Sequence, residues 1–280
     1  MGQWWKLHAM TVDISLAGRS VLITGGSRGL GRQMGMQLAK GGVKLCFTAE
    51  TKSDAFLETL DDLTEVLGSE NILAEVVDVS DPKGMEKLAC SCIEKFSKID
   101  VLINNAGRGM RLVSEQFNKI PVKFWECDPV AWSKIVSTNI NGAFIATRAV
   151  VPFMIQQKFG KIINVSTSSQ TMIRKGYSPY GPSKAFLEAA SRAWAKDLEG
   201  LGIDVNVLLP GGATDTDLLP PSKNKKGADG QLLPPSVIND AIVWLVSDKS
   251  NGISGARFIG RHWDDPIARQ DSTGKNPQIM

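Results

Sequence analysis

Histidine and cysteine are scarce: two and four in 280 residues. Cys46, Cys90, Cys92 and Cys127 form no Cys-x-x-Cys pair, so neither a zinc site nor a redox dithiol is expected, and no metal is assigned. Cys46 lies in a strand-like apolar run and Cys90 and Cys92 in a helix-like one, where a thiol serves as a small apolar side chain. An excess of one charge is lacking too: 32 basic against 29 acidic residues leave a net +3, which gives no reason to expect nucleic-acid or acidic-membrane partners. No window nears the ~20 consecutive apolar residues of a membrane-spanning helix. Lys6 and His8 break the apolar start of the chain, which is unlike a secretory signal. These absences together leave a cytoplasmic protein as the expectation.

What is present is ordinary globular material, 42% hydrophobic and 22% charged. Short apolar runs at 21–23, 43–48, 72–77, 101–103, 161–165, 203–209 and 257–259 alternate with helix-period segments at 32–41, 52–67, 83–96, 131–157, 183–200 and 236–246. Runs without in–out alternation indicate strands buried on both faces. Strand–helix alternation gives right-handed crossovers and a parallel sheet. The expectation is one α/β domain over 18–262, a doubly wound seven-stranded parallel sheet with helices on both faces, after an extension (1–17) and before a tail (263–280). Two stretches interrupt the alternation, 108–128 and 210–235. Long loops at the ends of strands read as substrate loops, the second as a lid.

Thr24-Gly25-Gly26-Ser27-Arg28-Gly29-Leu30-Gly31 follows the first strand and opens the first helix. Glycines there allow a tight turn and close approach to a pyrophosphate, and the helix start offers free N–H groups to it. Further along stand Asp78-Val79, Asn104-Asn105-Ala106-Gly107, Asn139 in Thr-Asn-Ile-Asn-Gly, Tyr180-Gly-Pro-Ser-Lys184 and Pro210-Gly211. Tyr180 and Lys184 are four apart, on one helical face. Pro182 between them is tolerated in a first turn, so the pair starts a helix. A phenol of pKa about 10 is a poor proton exchanger at neutral pH, and a nearby ammonium lowers that value.

In this order the motifs resemble the classical short-chain dehydrogenase/reductase family, from about Gly18 to Gly260. The resemblance implies a Rossmann-type fold and an NAD(P)(H)-dependent oxidoreductase acting on a carbonyl or secondary alcohol. It implies Tyr180 as general acid/base, Lys184 as the group that lowers its pKa and holds the nicotinamide ribose, and Asn139 as the holder of a linking water. It implies cofactor contacts from Thr24, Gly25, Ser27, Arg28, Gly29, Leu30 and Gly31, from Asp78 and Val79, from Asn105, Ala106 and Gly107, from Tyr180 and Lys184, and from Pro210 and Gly211. The family's hydroxyl donor, usually serine, falls on Thr167, with Ser168 one residue on; the expectation leans to Ser168, which lacks the crowding methyl, and keeps Thr167 as the alternative. Ala49-Glu50 ends the second strand where an acid favours NAD(H), whereas Arg28 suits the phosphate of NADP(H); the balance leans to NADP(H). Phe117, Phe124 and Trp125 in the first loop point to an apolar or ringed substrate or to loop packing. A homo-oligomer, dimer or tetramer, is expected through the two long central helices, with Trp4-Trp5 and 261–263 at subunit contacts. The rival readings on the same fold are a cofactor-binding sensor or regulator and a scaffold.

Overall fold

Strand formation follows burial. The runs Val101–Asn104 and Gly160–Val165 are buried at every position, which only a sheet covered on both faces allows. We describe residues 14–221, 225–227 and 230–263 of a computed structural model. Seven strands, β1 (Ser20–Ile23), β2 (Lys44–Ala49), β3 (Ile72–Val76), β4 (Val101–Asn104), β5 (Gly160–Val165), β6 (Ile203–Leu209) and β7 (Arg257–Ile259), form one parallel sheet in the order β3-β2-β1-β4-β5-β6-β7. The order reverses between β1 and β4, and the crevice beyond the carboxyl ends of these strands is where such sheets bind ligands.

The helices are α1 (Gly29–Ala39), α2 (Asp54–Leu67), α3 (Pro82–Phe96), α4 (Pro129–Val136), α5 (Ala143–Gln157), α6 (Ser169–Met172), α7 (Tyr180–Asp197) and α8 (Asn239–Val246). One core lies between the sheet and α1, α2 and α8, around Met34, Leu38, Leu63, Ile242 and Leu245. The other lies between the sheet and α3 and α5, around Met85, Leu88, Val150 and Met154. Leu16 and Trp263 belong to the first core. Trp263, expected at the start of the tail, packs on Trp244 and Phe258 of the folded unit. Trp4-Trp5 lies outside the described residues.

Three elements depart from the sequence expectation. The single helix over 131–157 is two helices joined by a wide π-type turn, Ser137–Gly142. Asn139 is in this turn and its side chain is drawn to two other segments, and such turns mark functional sites. Helix α7 begins at Tyr180 rather than 183, so Pro182 does fall in its first turn. Strand β3 ends at Val76, which leaves Asp78-Val79 in the turn beyond it. No helix among the described residues is long and apolar enough to cross a membrane.

Candidate active site

The glycine loop is held open by its neighbours rather than by a cap. Gly25 and Gly29 have φ of +66° and +56°, the left-handed region that glycine occupies freely. Thr24 Oγ1 accepts from the backbone N–H of Asn105 and Ala106, both at 3.1 Å. The Asn105 side chain donates to the carbonyls of Thr24 and Gly25 at 3.1 and 2.8 Å. Buried Thr48 accepts from Gly26 N–H through its carbonyl, and Thr59 ties the Ser27 carbonyl to α2 at 2.8 Å. Leu30 packs on the first core. Helix α1 starts after extended Arg28 with no side-chain cap and no acid in its first turn. Its N–H groups and positive dipole end are thus left for an anion, which fits a dinucleotide pyrophosphate.

A Cβ on Gly31 would lie 2.2 Å from the Gly25 carbonyl oxygen and 2.5 Å from the Asn105 amide. Gly31→Ala is expected to lower stability by about 1–3 kcal/mol through this overpacking and to weaken binding of a dinucleotide. A melting curve and a dinucleotide titration check both.

The candidate catalytic side chains come from the π-type turn, the segment after β5 and the start of α7. Asn139 is 1% exposed. Its Oδ1 accepts from Arg108 N–H at 2.7 Å, and its Nδ2 donates to the Arg108 carbonyl and to Ser183 Oγ at 3.0 and 2.9 Å. Ser183 in turn donates to the Tyr180 carbonyl at 2.6 Å. Asn139 therefore joins the loop after β4 to the start of α7. Gly107 lies beside both groups: a Cβ there would sit 3.4 Å from Asn139 Oδ1 and 3.6 Å from Lys184 Nζ, ordinary contact distances. Lys184 is buried and donates to the Val165 carbonyl at 2.8 Å. Burial lowers its pKa to about 8, with Glu188 acting in the opposite sense.

The expectation for Tyr180 is a lowered phenol pKa; desolvation instead pushes it up to about 12. The Ser168 hydroxyl, expected as the donor, sits in a helix cap. Ser168 caps α6, its Oγ accepting from Thr171 N–H at 3.3 Å and lying 2.9 Å from Thr171 Oγ1. Thr167, the other candidate, has its carbonyl held by Arg257 Nη2 at 3.1 Å and takes no part in the α6 cap.

The remaining predicted positions line the crevice unequally. Asp78 is exposed, with Oδ1 accepting from Ser80 N–H and Oγ at 2.8 and 2.7 Å, while Val79 is buried against Gly142. The Pro210 carbonyl accepts from Arg261 N–H at 2.9 Å, and Gly211, at φ +93°, leaves room for Ile259 and Arg261. Glu50 forms an ion pair with Arg108, whose Nε also donates to Thr138 Oγ1 at 3.1 Å. Arg28 is exposed and lies 3.8 Å from the Asp217 carboxylate. In the second loop Thr216 lies over Gly29, Leu218 over Gly109, and the Asp217 carbonyl accepts from Arg111 at 2.7 Å. That loop thus spans the glycine loop and the first substrate loop; Thr216 was missed because a threonine in a proline-flanked loop carries no periodic signal. In the first loop Phe117 is buried edge-on against Tyr177, with ring centroids 5.4 Å apart, while Phe124 and Trp125 are exposed and pack on each other. These aromatics fold the loop or face solvent, so they carry no signal for a ringed substrate. Among the described residues no group of three or more His, Cys, Asp or Glu could hold a metal ion.

This arrangement meets its counterpart in known proteins. The profile described as short chain dehydrogenase matches residues 19–227. The chain belongs to the short-chain dehydrogenase family. It is 30% identical over 250 residues to the 3-oxoacyl-(acyl-carrier-protein) reductase of Thermotoga maritima, covering 86% of this chain and 95% of that one. It is 30% identical over 257 residues to the L-rhamnose-1-dehydrogenase of Scheffersomyces stipitis, covering 87% and 95%. The crystal structure of the 3-ketoacyl-(acyl-carrier-protein) reductase of Brucella melitensis complexed with NADH superposes with a TM-score of 0.74 at 26% identity, covering 87% and 96%. As a family member this short-chain dehydrogenase is an oxidoreductase of Rossmann-type fold that takes a nicotinamide dinucleotide.

Proposed function

We propose that this short-chain dehydrogenase interconverts a carbonyl and a secondary alcohol, with Tyr180 as general acid/base and Thr167 as the hydroxyl that orients the substrate oxygen. The observation that carries it is Tyr180 at the first position of α7, partly exposed and one helical turn from buried Lys184. The nicotinamide, when bound, supplies or takes the hydride at the substrate carbon. Thr167 Oγ1 donates to the carbonyl oxygen and favours the charge that develops there. The Tyr180 hydroxyl delivers its proton to the same oxygen during reduction and takes it back during oxidation. Lys184, whose Nζ donates to the Val165 carbonyl beside the Gly107 turn, is assigned to hold the ribose.

NADPH fluorescence on mixing, followed by turnover of a carbonyl and sugar panel, tests this reading. The panel includes a 3-oxoacyl thioester and L-rhamnose, the compounds in the relatives' names. Binding without turnover across a broad panel would favour a sensor or regulator; no binding would favour a scaffold.

For the cofactor we propose NADP(H). The Arg108 ion pair counters the negative charge of Glu50, the residue least favourable to a 2′-phosphate, and Arg28 is exposed beside the loop. Arg28→Ala should raise KM for NADPH by roughly 10- to 100-fold, the range for a lost hydrogen bond to a charged group, and leave KM for NADH nearly unchanged. An equal effect on both would overturn the preference. We also propose a homo-oligomer packed through the α5 and α7 faces, where Phe144 and Phe186 are exposed.

A further inference from the structure

Glu188 and Arg257 have no part in the reading above, yet they are only 2% and 8% exposed. Arg257 Nε donates to both Glu188 carboxylate oxygens, at 3.1 and 3.0 Å. A buried pair of this kind is weak evidence for stability, because desolvation offsets most of the attraction. Its partners indicate what else it does. Ser166 Oγ donates to Glu188 Oε1 at 2.7 Å, and Arg257 Nη2 donates to the Thr167 carbonyl at 3.1 Å.

The segment leaving β5 is thus gripped residue by residue. Lys184 holds the Val165 carbonyl, Glu188 holds the Ser166 hydroxyl, and Arg257 holds the Thr167 carbonyl. Lys184 and Glu188 sit at i and i+4 on one face of α7, and Arg257 opens β7 from the other side. The next residue, Ser168, already belongs to the α6 cap. The grip therefore ends on Thr167, the hydroxyl residue assigned above to orient the substrate oxygen. Misplacing a reacting group by about 1 Å can cost roughly 10²-fold in rate.

We propose that the buried Glu188–Arg257 pair is a positioning device that sets the Thr167 hydroxyl against Tyr180 and the substrate oxygen. It rests on the assignment of Thr167 and Tyr180 given above. Neither residue is a catalytic residue: Arg257 acts through the Thr167 carbonyl, and Glu188 through Arg257, Ser166 and its charge beside Lys184.

Removing one partner would leave an unpaired buried charge and endanger folding. The test therefore uses the neutral double variant Glu188→Gln/Arg257→Met. NADPH affinity, read by fluorescence, is expected to stay within about twofold of the parent, while kcat falls about tenfold or more. In a Thr167→Ala background the same double change should lower kcat no further, because its route of action is already gone. A purely structural role would multiply the two losses instead. A second readout is independent of turnover. Tyr177 and Tyr180 are the two tyrosines of the chain, so Tyr177→Phe leaves position 180 as the single site for fluorotyrosine. Thr167→Ala and the double variant should shift its fluorine resonance in the same direction and non-additively. An unchanged kcat, a multiplicative loss, or an unmoved resonance overturns the proposal. If the double variant does not fold, Ser166→Ala, which frees one side of the Glu188 carboxylate, is read by the same resonance, and no shift there overturns it. If the parent turns over no substrate, the fluorine readout decides the positioning alone, and only the oxidoreductase reading falls.

Discussion

Tyr180→Phe is expected to lower kcat by roughly 10²–10⁴-fold, the span of a lost general acid/base, and to leave NADPH binding intact. The phenyl ring keeps the packing at the start of α7, so the loss isolates the proton. The pH profile should then depend on direction. With the phenol at about 12, Tyr180 is protonated throughout the neutral range and ready to donate. Reduction needs that proton, so its rate should be flat from neutral to mildly alkaline pH as far as Tyr180 is concerned. Oxidation needs the phenolate, so its rate should climb nearly tenfold per pH unit below about 12. Stopped-flow reduction and steady-state oxidation across pH separate the two, and a flat oxidation profile would remove Tyr180 from the role. A bound cofactor or substrate that brings positive charge closer would shift the whole oxidation limb to lower pH without changing its direction.

Lys184 gives the same chain a thermodynamic signature. Its folded pKa of about 8 lies below the ordinary lysine value of about 10.4. Between those two values the unfolded chain binds more protons than the folded one. Stability contributed at this site therefore rises with pH across that window and is constant below it. Denaturant melts of the parent and of Lys184→Met should converge or diverge by this amount between about pH 8 and 10.4, with the parent gaining.

The sheet was legible in the sequence because each strand is buried on both faces, and an uninterrupted run such as Val101-Leu102-Ile103 needs no partner information to be recognised. The glycine loop and the Tyr180–Lys184 pair were legible because their spacing is local. What escaped detection was set by distant contacts. The turn at Asn139 widens because its carboxamide reaches Arg108 and Ser183, 31 and 44 residues away. Nothing local marks Glu188 as special, because its partner Arg257 lies 69 residues on. Thr167 and Ser168 differ by a single position, and a sequence cannot say which of two adjacent hydroxyls a short helix will take for its cap. The pKa of Tyr180 escaped for a related reason: proximity of a lysine in sequence gives the sign of one contribution, whereas burial, which dominates here, belongs to the assembled fold.

The competition between those two hydroxyls is the sharpest test of the site. Thr167→Ala should lower kcat by about 10²–10³-fold, the loss seen when one donor to a developing oxyanion is removed, with little change in melting temperature. Thr167→Ser keeps the hydroxyl and should retain most of the activity, since the extra methyl has no chemical role. Ser168→Ala should behave in the opposite way. It removes the cap from α6, which is worth roughly 0.5–2 kcal/mol, and should alter kcat only as far as the loop before Tyr180 loosens. Rates and melts measured on the three variants together decide between the positions. A large rate loss confined to Ser168→Ala would return the donor role to Ser168, because it would mean that the cap hydrogen bond is exchanged for a substrate bond when the crevice fills.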